Sequence, residues 1–226
     1  LEDMASFSKA VGGCPTNIAI GTARLGLKSA VITRVGDEHM GRFIREQLVR
    51  EGVNTDGVHT DPKRLTALVV LGVRDDKTFP LIFYRTDCAD AALDEGDIDE
   101  DFIASARAIV VSGTHFAKEN TAKAQMKAIH LARKHGRKVV FDVDYRPNLW
   151  GLAGHGDGES RYIRSDQVTA HLAPILPLCD LIVGTEEELA IAGGSEDTLE
   201  TIRNIRAVSA ATIVCKRGPM GCVVFP

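Results

Sequence analysis

The sequence predicts an α/β fold, in which a doubly wound, mostly parallel sheet carries helices on both faces. Two observations support this class. Short apolar runs of strand length recur along the 226 residues, and stretches with helical periodicity lie between most of them. Runs rich in valine and isoleucine, with few polar interruptions, are typical of parallel strands that are buried on both faces.

The elements follow one another in a regular order. Strand-like runs lie at 30–35, 68–73, 81–84, 108–112, 139–143, 181–183, 212–215 and 222–225. Helix-like stretches lie at 16–25, 40–51, 99–107, 121–135, 186–192 and 199–209. A chain of this length is within reach of one large α/β domain, so we expect a single domain over residues 1–226.

One segment interrupts the alternation of strand and helix. Residues 66–84 contain two strand-like runs, and no helix-like stretch separates them. The turn-forming residues 74–78 between the runs predict a β-hairpin. The hairpin would be either a flap over a site or an antiparallel addition to the edge of the sheet, and the pattern leaves both open.

Composition and charge exclude several classes of partner. The formal net charge of −4 gives no sign of binding to nucleic acid. No uninterrupted apolar stretch approaches the length of about 20 residues that spans a bilayer, and no signal-peptide pattern is present, so we expect a cytoplasmic protein without a membrane partner. The five cysteines form no C-x-x-C pair and the seven histidines no H-x-x-x-H, which argues against a zinc site.

Glycine, proline and asparagine cluster at residues 12–17, GGCPTN, directly before the first helix-like stretch. Pro15 fits the first helical turn, where its missing N–H costs nothing. Gly12 and Gly13 allow close approach of the backbone, and Asn17 offers both hydrogen-bond donors and an acceptor. The cluster is therefore either a glycine turn into a helix or a ligand site at the N-terminus of that helix.

Polar residues also gather where strands end, which is where ligands collect in a parallel sheet. Asp142, Asp144 and Arg146 stand together in FDVDYRPNLW, and they suit either a polar ligand or a solvated connection whose charges pair. Arg85 closes the hairpin after two aromatic residues. It would either pair bidentately with a carboxylate substrate or be an exposed arginine at a strand end.

Two further stretches suit a phosphorylated ligand. VGTEEELA, residues 183–190, opens a helix with three glutamates, which either stabilise the helix dipole or bind magnesium through water beside a phosphate. KRGPMG, residues 216–221, is either a turn that approaches nucleotide phosphates or a plain hairpin turn. The sequence has no Walker G-x-x-x-x-G-K-[ST] and no G-x-G-x-x-G, which argues against P-loop and dinucleotide-binding proteins.

Together these stretches resemble the ribokinase-like (PfkB) carbohydrate kinases. GGCPTNIAIGTARLG followed by TRVGDEHMG is similar to the first signature of that family, and YR with DVDYRPNLW resembles its branch that acts on keto-sugar acids. The resemblance implies a ribokinase-like fold with a small β lid around residues 66–84. It also implies a kinase that uses ATP and Mg²⁺, a sugar acid as substrate, and a homodimer contact through the lid.

The resemblance also implies roles for individual residues on the sugar side. Gly12, Gly13 and Asn17 would hold sugar hydroxyls at the helix entrance. Arg85 and Arg146 would bind the carboxylate of the substrate or its neighbouring oxygens.

On the cofactor side, the resemblance implies that Asp144 contributes to binding of the nucleotide. Glu187 would take the place of the glutamate in the family's N-x-x-E motif and support magnesium. Lys216, Gly218 and Gly221 would lie in the nucleotide-binding turn.

The sequence departs from the family pattern at two places. Gly184 stands where N-x-x-E has its asparagine, so that this position offers no side chain to a phosphate. The G-A-G-D motif, whose aspartate is the general base, is absent and is expected beyond Pro226, just as the aspartate of the opening strand is expected before Leu1. We therefore expect these 226 residues to be an inactive piece of a kinase, and the alternative is a non-catalytic sugar- or nucleotide-binding module.

Overall fold

The computed structural model describes residues 4–73, 75, 79–154 and 162–226. These residues form two compact units. The first is built from the chain up to Ile98 together with Gly154, and the second from most of the remainder. The α/β class with a mostly parallel sheet is confirmed, whereas a single domain over 1–226 stays a prediction.

The first unit begins with two helix–strand pairs, α1 (Cys14–Arg24), β1 (Thr33–Gly36), α2 (His39–Arg50) and β2 (Val58–Asp61). β1 and β2 pair in parallel. Apolar side chains from the helices, the strands and the connections before the strands share one buried cluster, made of Ala19, Val31, Val35, Leu48, Val53 and Val58. Burial of these side chains is the main term that holds the helices on the strand pair.

The predicted hairpin is present in the first unit. Its strands are β3 (Leu68–Leu71) and β4 (Leu81–Tyr84), and they pair antiparallel with Leu68 opposite Tyr84. The predicted turn at 74–78 falls on positions of which only Asp75 lies within the described residues. The hairpin forms a two-stranded sheet of its own. Three of the four residues of β3 are exposed, and three of the four residues of β4 are partly buried.

The second unit contains a five-stranded sheet with helices between its strands. In chain order its elements are α3 (Glu100–Ser105), β5 (Ala108–Ser112), α4 (Glu119–Lys134), β6 (Lys138–Asp142), α5 (Asp166–Leu172), β7 (Leu181–Thr185), α6 (Glu186–Gly193), α7 (Thr198–Val208), β8 (Thr212–Lys216) and β9 (Cys222–Phe225). The strand order is β5-β6-β7-β8-β9, with the first four parallel and β9 antiparallel to β8. The carboxyl ends of β5 to β8 therefore share one edge of the sheet.

Among the described α-helices and strands, the sequence does not predict two, β2 and α5, and both are short. β2 contains a single strongly apolar residue, Val58, so it lacks the apolar run that marks the other parallel strands. α5 has seven residues and contributes only Val168 and Leu172 to the core, too few to show a helical period.

A search of the described residues for a helix that is both long and apolar enough to cross a membrane finds none.

Candidate active site

The GGCPTN cluster opens helix α1. Gly13 is the residue before the first turn and has a φ of 92°, a left-handed backbone that favours glycine. Pro15 lies in the first turn, and the amide of Asn17 donates to the carbonyl of Gly13 at 3.0 Å. The cluster is thus a glycine turn into a helix. Gly12, Gly13 and Asn17 are exposed there, and their role as sugar contacts stays a prediction.

Arg85 follows β4 and pairs with Asp90, which lies in a short 3-10 turn at Ala89–Ala92. Both side chains are mostly buried, with exposed fractions of 21% for Arg85 and 15% for Asp90, so the interpretation of Arg85 as an exposed arginine is wrong. Within the described residues, Asp90 Oδ1 is buried without a hydrogen-bond partner. A guanidinium that is held by an aspartate and remains partly exposed suits recognition of a carboxylate.

In the second unit, a chain of hydrogen bonds leads to Arg146. Gln125 on α4 accepts from the amide of Ser112 at 2.8 Å and donates to its carbonyl at 2.9 Å. The hydroxyl of Ser112 donates to Asp144 Oδ2 at 3.3 Å, and Asp144 Oδ1 lies 3.1 Å from Nη2 of Arg146. Asp144 is buried, whereas the Arg146 side chain is 34% exposed. The buried partners therefore hold an accessible guanidinium at the strand ends.

Close backbone packing brings the segments that carry Ser112 and Asp144 together. A Cβ on Gly113, directly after β5, would lie 1.9 Å from the carbonyl oxygen of Val143, directly after β6. Only glycine allows this approach. Asp144 then has a φ of 31°, a left-handed backbone that is rare for a residue with a side chain.

The next residue, Tyr145, fixes the connection after β6. Its ring is buried, and its hydroxyl donates to the carbonyl of Ile163 at 2.6 Å. Burial raises the pKa of Tyr145 to about 12, so the hydroxyl remains a donor at neutral pH. Asp144 and Tyr145 thus fix the segment that leads into Arg146.

Lys216 ends β8 at the same edge of the sheet. Its Nζ lies 3.6 Å from Asp142 Oδ1 and 3.5 Å from Glu188 Oε2. Partial burial disfavours the ammonium, but the carboxylates of Glu188 and Asp142 outweigh this effect and raise the pKa of Lys216. One cation therefore lies between two carboxylates that come from β6 and from the first turn of α6.

The three glutamates of VGTEEELA have different environments. Glu187 is exposed, whereas Glu188 is buried and forms a capping box with Thr185, in which each side chain bonds the backbone amide of the other residue. Glu186 pairs with Arg217 at 3.1 Å. Of the three, Glu188 is thus the carboxylate that lies beside Lys216, and Thr185 is the residue that caps the helix.

KRGPMG forms a tight turn between β8 and β9. Gly218 and Gly221 have φ values of 54° and 83°, and the amide of Arg217 donates to the carbonyl of Gly221 at 2.8 Å. Apart from the glycine and its flanking residues, no heavy atom of the described chain lies within 4 Å of a Cβ built on Gly218 or on Gly221. The turn is therefore confirmed and leaves open backbone beside Lys216, while its role in nucleotide binding stays a prediction.

The residues fit a magnesium ion that arrives with a nucleotide better than one held by the protein alone. Among the described residues, no group of three or more Asp, Glu, His or Cys side chains is arranged to hold a metal ion. Magnesium usually takes one or two carboxylates, and phosphate oxygens and waters complete its shell. Asp142 and Glu188 offer such a pair next to Lys216, and Glu187 is the residue directly before Glu188.

Sequence reasoning missed the residues that position the predicted ones. Glu188 carries a signal, because T-x-x-E at 185–188 is the pattern of a capping box. Ser112, Gln125 and Asp90 carry none, because their partners are set by the packing of α4 on the sheet and by the turn after β4.

Comparison with known proteins places these features in a family. The model of the pfkB family carbohydrate kinases matches residues 1–226. The 5-dehydro-2-deoxygluconokinase of Geobacillus kaustophilus is 37% identical over 231 residues, and that of Bacillus velezensis is 35% identical over 230. Both alignments cover all of this chain but 65% and 66% of those relatives, so the chain spans just under two thirds of their length.

Solved structures show the same similarity. A PfkB protein of a Polaromonas species matches with a TM-score of 0.85 and 29% identity, over 99% of this chain and 72% of that one. A sugar kinase of Pyrococcus horikoshii in complex with ATP matches with a TM-score of 0.80 and 26% identity, over 100% of this chain and 67% of that one. A fructokinase of Vibrio cholerae with fructose, ADP and calcium matches with a TM-score of 0.76 and 26% identity, over 95% and 65%. The chain belongs to the pfkB family of carbohydrate kinases.

Proposed function

We propose that the full-length protein transfers a phosphoryl group from ATP to the 6-hydroxyl of 5-dehydro-2-deoxy-D-gluconate, in inositol catabolism. The names of the curated relatives support this substrate, and the ATP complex of a similar sugar kinase supports the donor. In this chain, the observation that carries the proposal is the accessible guanidinium of Arg146, held by buried Asp144 at the edge where Lys216 also lies.

Arginine suits the acid group of this substrate. Its planar guanidinium binds a carboxylate through two parallel hydrogen bonds, which a neutral sugar cannot reproduce. Arg146 and Arg85 are each oriented by an aspartate, so both are candidates for this role. Gly12, Gly13 and Asn17 would hold sugar hydroxyls with exposed backbone and amide groups.

Lys216 and the turn after it would bind the nucleotide. The ammonium of Lys216 would contact phosphate oxygens, and Gly218 and Gly221 allow phosphates to approach the backbone. Asp144 would also contribute to binding of the nucleotide. Magnesium bound with the nucleotide supplies neutralisation of the phosphate charge during transfer.

Carboxylates of the first turn of α6 would hold that magnesium. Glu187 is the residue that the family motif indicates. Glu188 is a second candidate, because it lies 3.5 Å from Lys216, which would contact the phosphates.

We also propose that the base that takes the proton from the sugar hydroxyl belongs to the part of the protein outside this chain. Phosphoryl transfer requires a carboxylate that orients or deprotonates the nucleophile. The resemblance puts that aspartate beyond Pro226, and about a third of each relative lies outside the matched region. The 226 residues alone would then be inactive, and ATP-dependent phosphorylation by this piece would contradict that proposal.

A substrate panel tests the proposal with the full-length protein. Wild type should prefer 5-dehydro-2-deoxy-D-gluconate to 2-keto-3-deoxygluconate and to fructose. Arg146→Leu should lower kcat/KM on the sugar acids about a hundredfold, because it removes a hydrogen-bonded charge pair with the substrate. The same variant should change kcat/KM on fructose about threefold at most. Arg133→Gln, which removes an exposed arginine of α4, serves as the matched control.

Other outcomes of the panel favour the alternatives. A preference for fructose with no effect of Arg146→Leu would contradict the sugar-acid proposal and favour a fructokinase, a class that one similar structure represents. A preference for 2-keto-3-deoxygluconate would keep the role of the arginines and change the substrate. Binding of sugar and ATP without any transfer would indicate a binding module.

Assembly and location complete the proposal. A homodimer through the hairpin is supported by its apolar side chains, since Leu68, Leu71 and Tyr84 are each more than half exposed. Light scattering of Leu71→Asp against wild type tests this contact, and equal masses would contradict it.

Use of ATP is consistent with a cytoplasmic protein.

A further inference from the structure

The carboxylate of Glu38 joins the start of helix α2 to the base of the hairpin. Glu38 precedes the helix, and its oxygens accept from the amides of Met40 at 2.6 Å and Gly41 at 3.1 Å. The same carboxylate accepts from the amide of Thr66 at 3.2 Å and also from the hydroxyl of Thr66. Thr66 lies two residues before β3, so one side chain satisfies donors of both the helix and the hairpin base.

Tight packing surrounds this carboxylate. A Cβ on Gly36 would lie 2.6 Å from the carbonyl oxygen of Arg64 and 2.9 Å from the amide nitrogen of Thr66. A Cβ on Gly41 would lie 2.0 Å from the carbonyl oxygen of Gly36. The amide of Gly36 also donates to the hydroxyl of Thr66 at 3.0 Å. The glycines of V-G-D-E-H-M-G thus allow residues 64–66 to cross directly over the turn between β1 and α2.

The other side of the hairpin base is fixed in a similar way. The amide of Ala89 donates to the carbonyl of Leu65 at 2.9 Å, and Arg64 pairs with Asp87 at 2.9 Å. Above this base, β3 and β4 pair only with each other within the described part of the chain. The position of the hairpin therefore depends on how its base is held.

We propose that Glu38 is a positioning residue, which fixes the hairpin through Thr66 and thereby sets the affinity for the sugar. The effect on the sugar rests on the proposed function, in which the hairpin is a lid and Arg85 at its base binds the substrate. The anchoring itself does not depend on that function. Glu38 would act without touching substrate, since its oxygens are occupied by the four donors named above.

Two variants of the full-length protein test the anchoring. Glu38→Gln keeps the shape of the side chain but removes its charge, and Thr66→Val removes the hydroxyl. Hydrogen exchange in peptides covering 66–71 and 81–85 should become about tenfold faster in both variants, which corresponds to a loss of about 1.4 kcal/mol. Exchange in β6 and β7 should stay unchanged. Glu46→Gln, on the exposed face of the same helix, is the matched control and should behave as wild type.

Kinetics test the consequence for the sugar. Both variants should raise KM for the sugar acid about tenfold, with KM for ATP within about twofold of wild type. Thr66→Ser retains the hydroxyl, so its hydrogen exchange in the hairpin and its KM for the sugar acid should both match those of wild type. A general loss of stability caused by substitution at this position would not give that result.

Each result bears on a separate part of the proposal. Unchanged exchange in the hairpin of Glu38→Gln and Thr66→Val would overturn the anchoring. Faster exchange with unchanged KM for the sugar would overturn the positioning role. If wild type phosphorylates no sugar acid, the proposed function fails, and hydrogen exchange alone then decides the anchoring. If Glu38→Gln does not fold, the comparison of Thr66→Val with Thr66→Ser decides both parts.

Discussion

Replacing Gly41 with alanine tests the close packing at the start of α2. Alanine in a helix normally gains about 0.5–1 kcal/mol over glycine. At Gly41 the added Cβ would lie 2.0 Å from the carbonyl oxygen of Gly36, where ordinary contact begins at 3.4 Å. The obstacle is backbone, so Gly36 and the crossing segment have to move. Overpacking of this kind costs about 1–3 kcal/mol or more, and we expect a net loss of about 2 kcal/mol in the free energy of unfolding.

Gly21→Ala is the matched control. Gly21 lies inside α1, and its φ is not left-handed. Apart from its chain neighbours and the backbone of its own helix, no described atom lies within 4 Å of a built Cβ. This variant should gain about 0.5–1 kcal/mol, so that the same chemical change has opposite signs at the two positions. Urea unfolding followed by circular dichroism measures both. The reasoning is refuted if Gly41→Ala is as stable as Gly21→Ala.

Three further predictions concern the polar contacts. Gln125→Leu leaves the buried backbone groups of Ser112 without their partners and should cost about 3 kcal/mol in urea unfolding; a cost below about 0.5 kcal/mol would show that these bonds contribute little. Lys216→Met should raise KM for ATP about tenfold in steady-state kinetics, whereas Lys138→Met, at an exposed lysine, should leave it unchanged. Burial of Glu38 opposes ionisation, but hydrogen bonds from Thr66, Met40 and Gly41 outweigh it and lower the pKa of this carboxyl below 4.5. A carboxyl whose pKa is lowered by folding stabilises the fold at a pH above its unfolded-state pKa. This stabilisation is lost as the pH falls through the folded-state pKa, so wild type should lose more stability than Glu38→Gln between about pH 5 and pH 3.

The sequence predicts best where burial on both faces leaves an apolar run. β6 is such a case, since Val139 and Phe141 are fully buried in the middle of the sheet. The first predicted strand begins too early, because Ala30 forms only an isolated bridge with Asn54 and regular pairing starts at Thr33. Apolarity therefore indicates that a segment is buried, but the pairing partner decides where a strand begins.

The candidate site is predictable only in part, for a related reason. Arg146 and Lys216 follow strands and could be placed at one edge from the order of the elements. Gln125 reaches Ser112 across 13 residues, and only the packing of α4 against β5 creates that contact. The residues proposed to touch a ligand thus lie in recognisable stretches, while the residues that orient them are defined by tertiary structure.

The Arg85–Asp90 pair has an entropic consequence for recognition. A free arginine side chain loses about 1.5–2 kcal/mol of rotamer entropy when it is immobilised. Asp90 already restrains Arg85 in the ligand-free chain, so that most of this cost falls on folding instead of on binding. A substrate carboxylate bound by Arg85, as proposed above, would gain the hydrogen bonds without having to order the side chain, and its affinity would depend on Asp90, a residue that need not touch it.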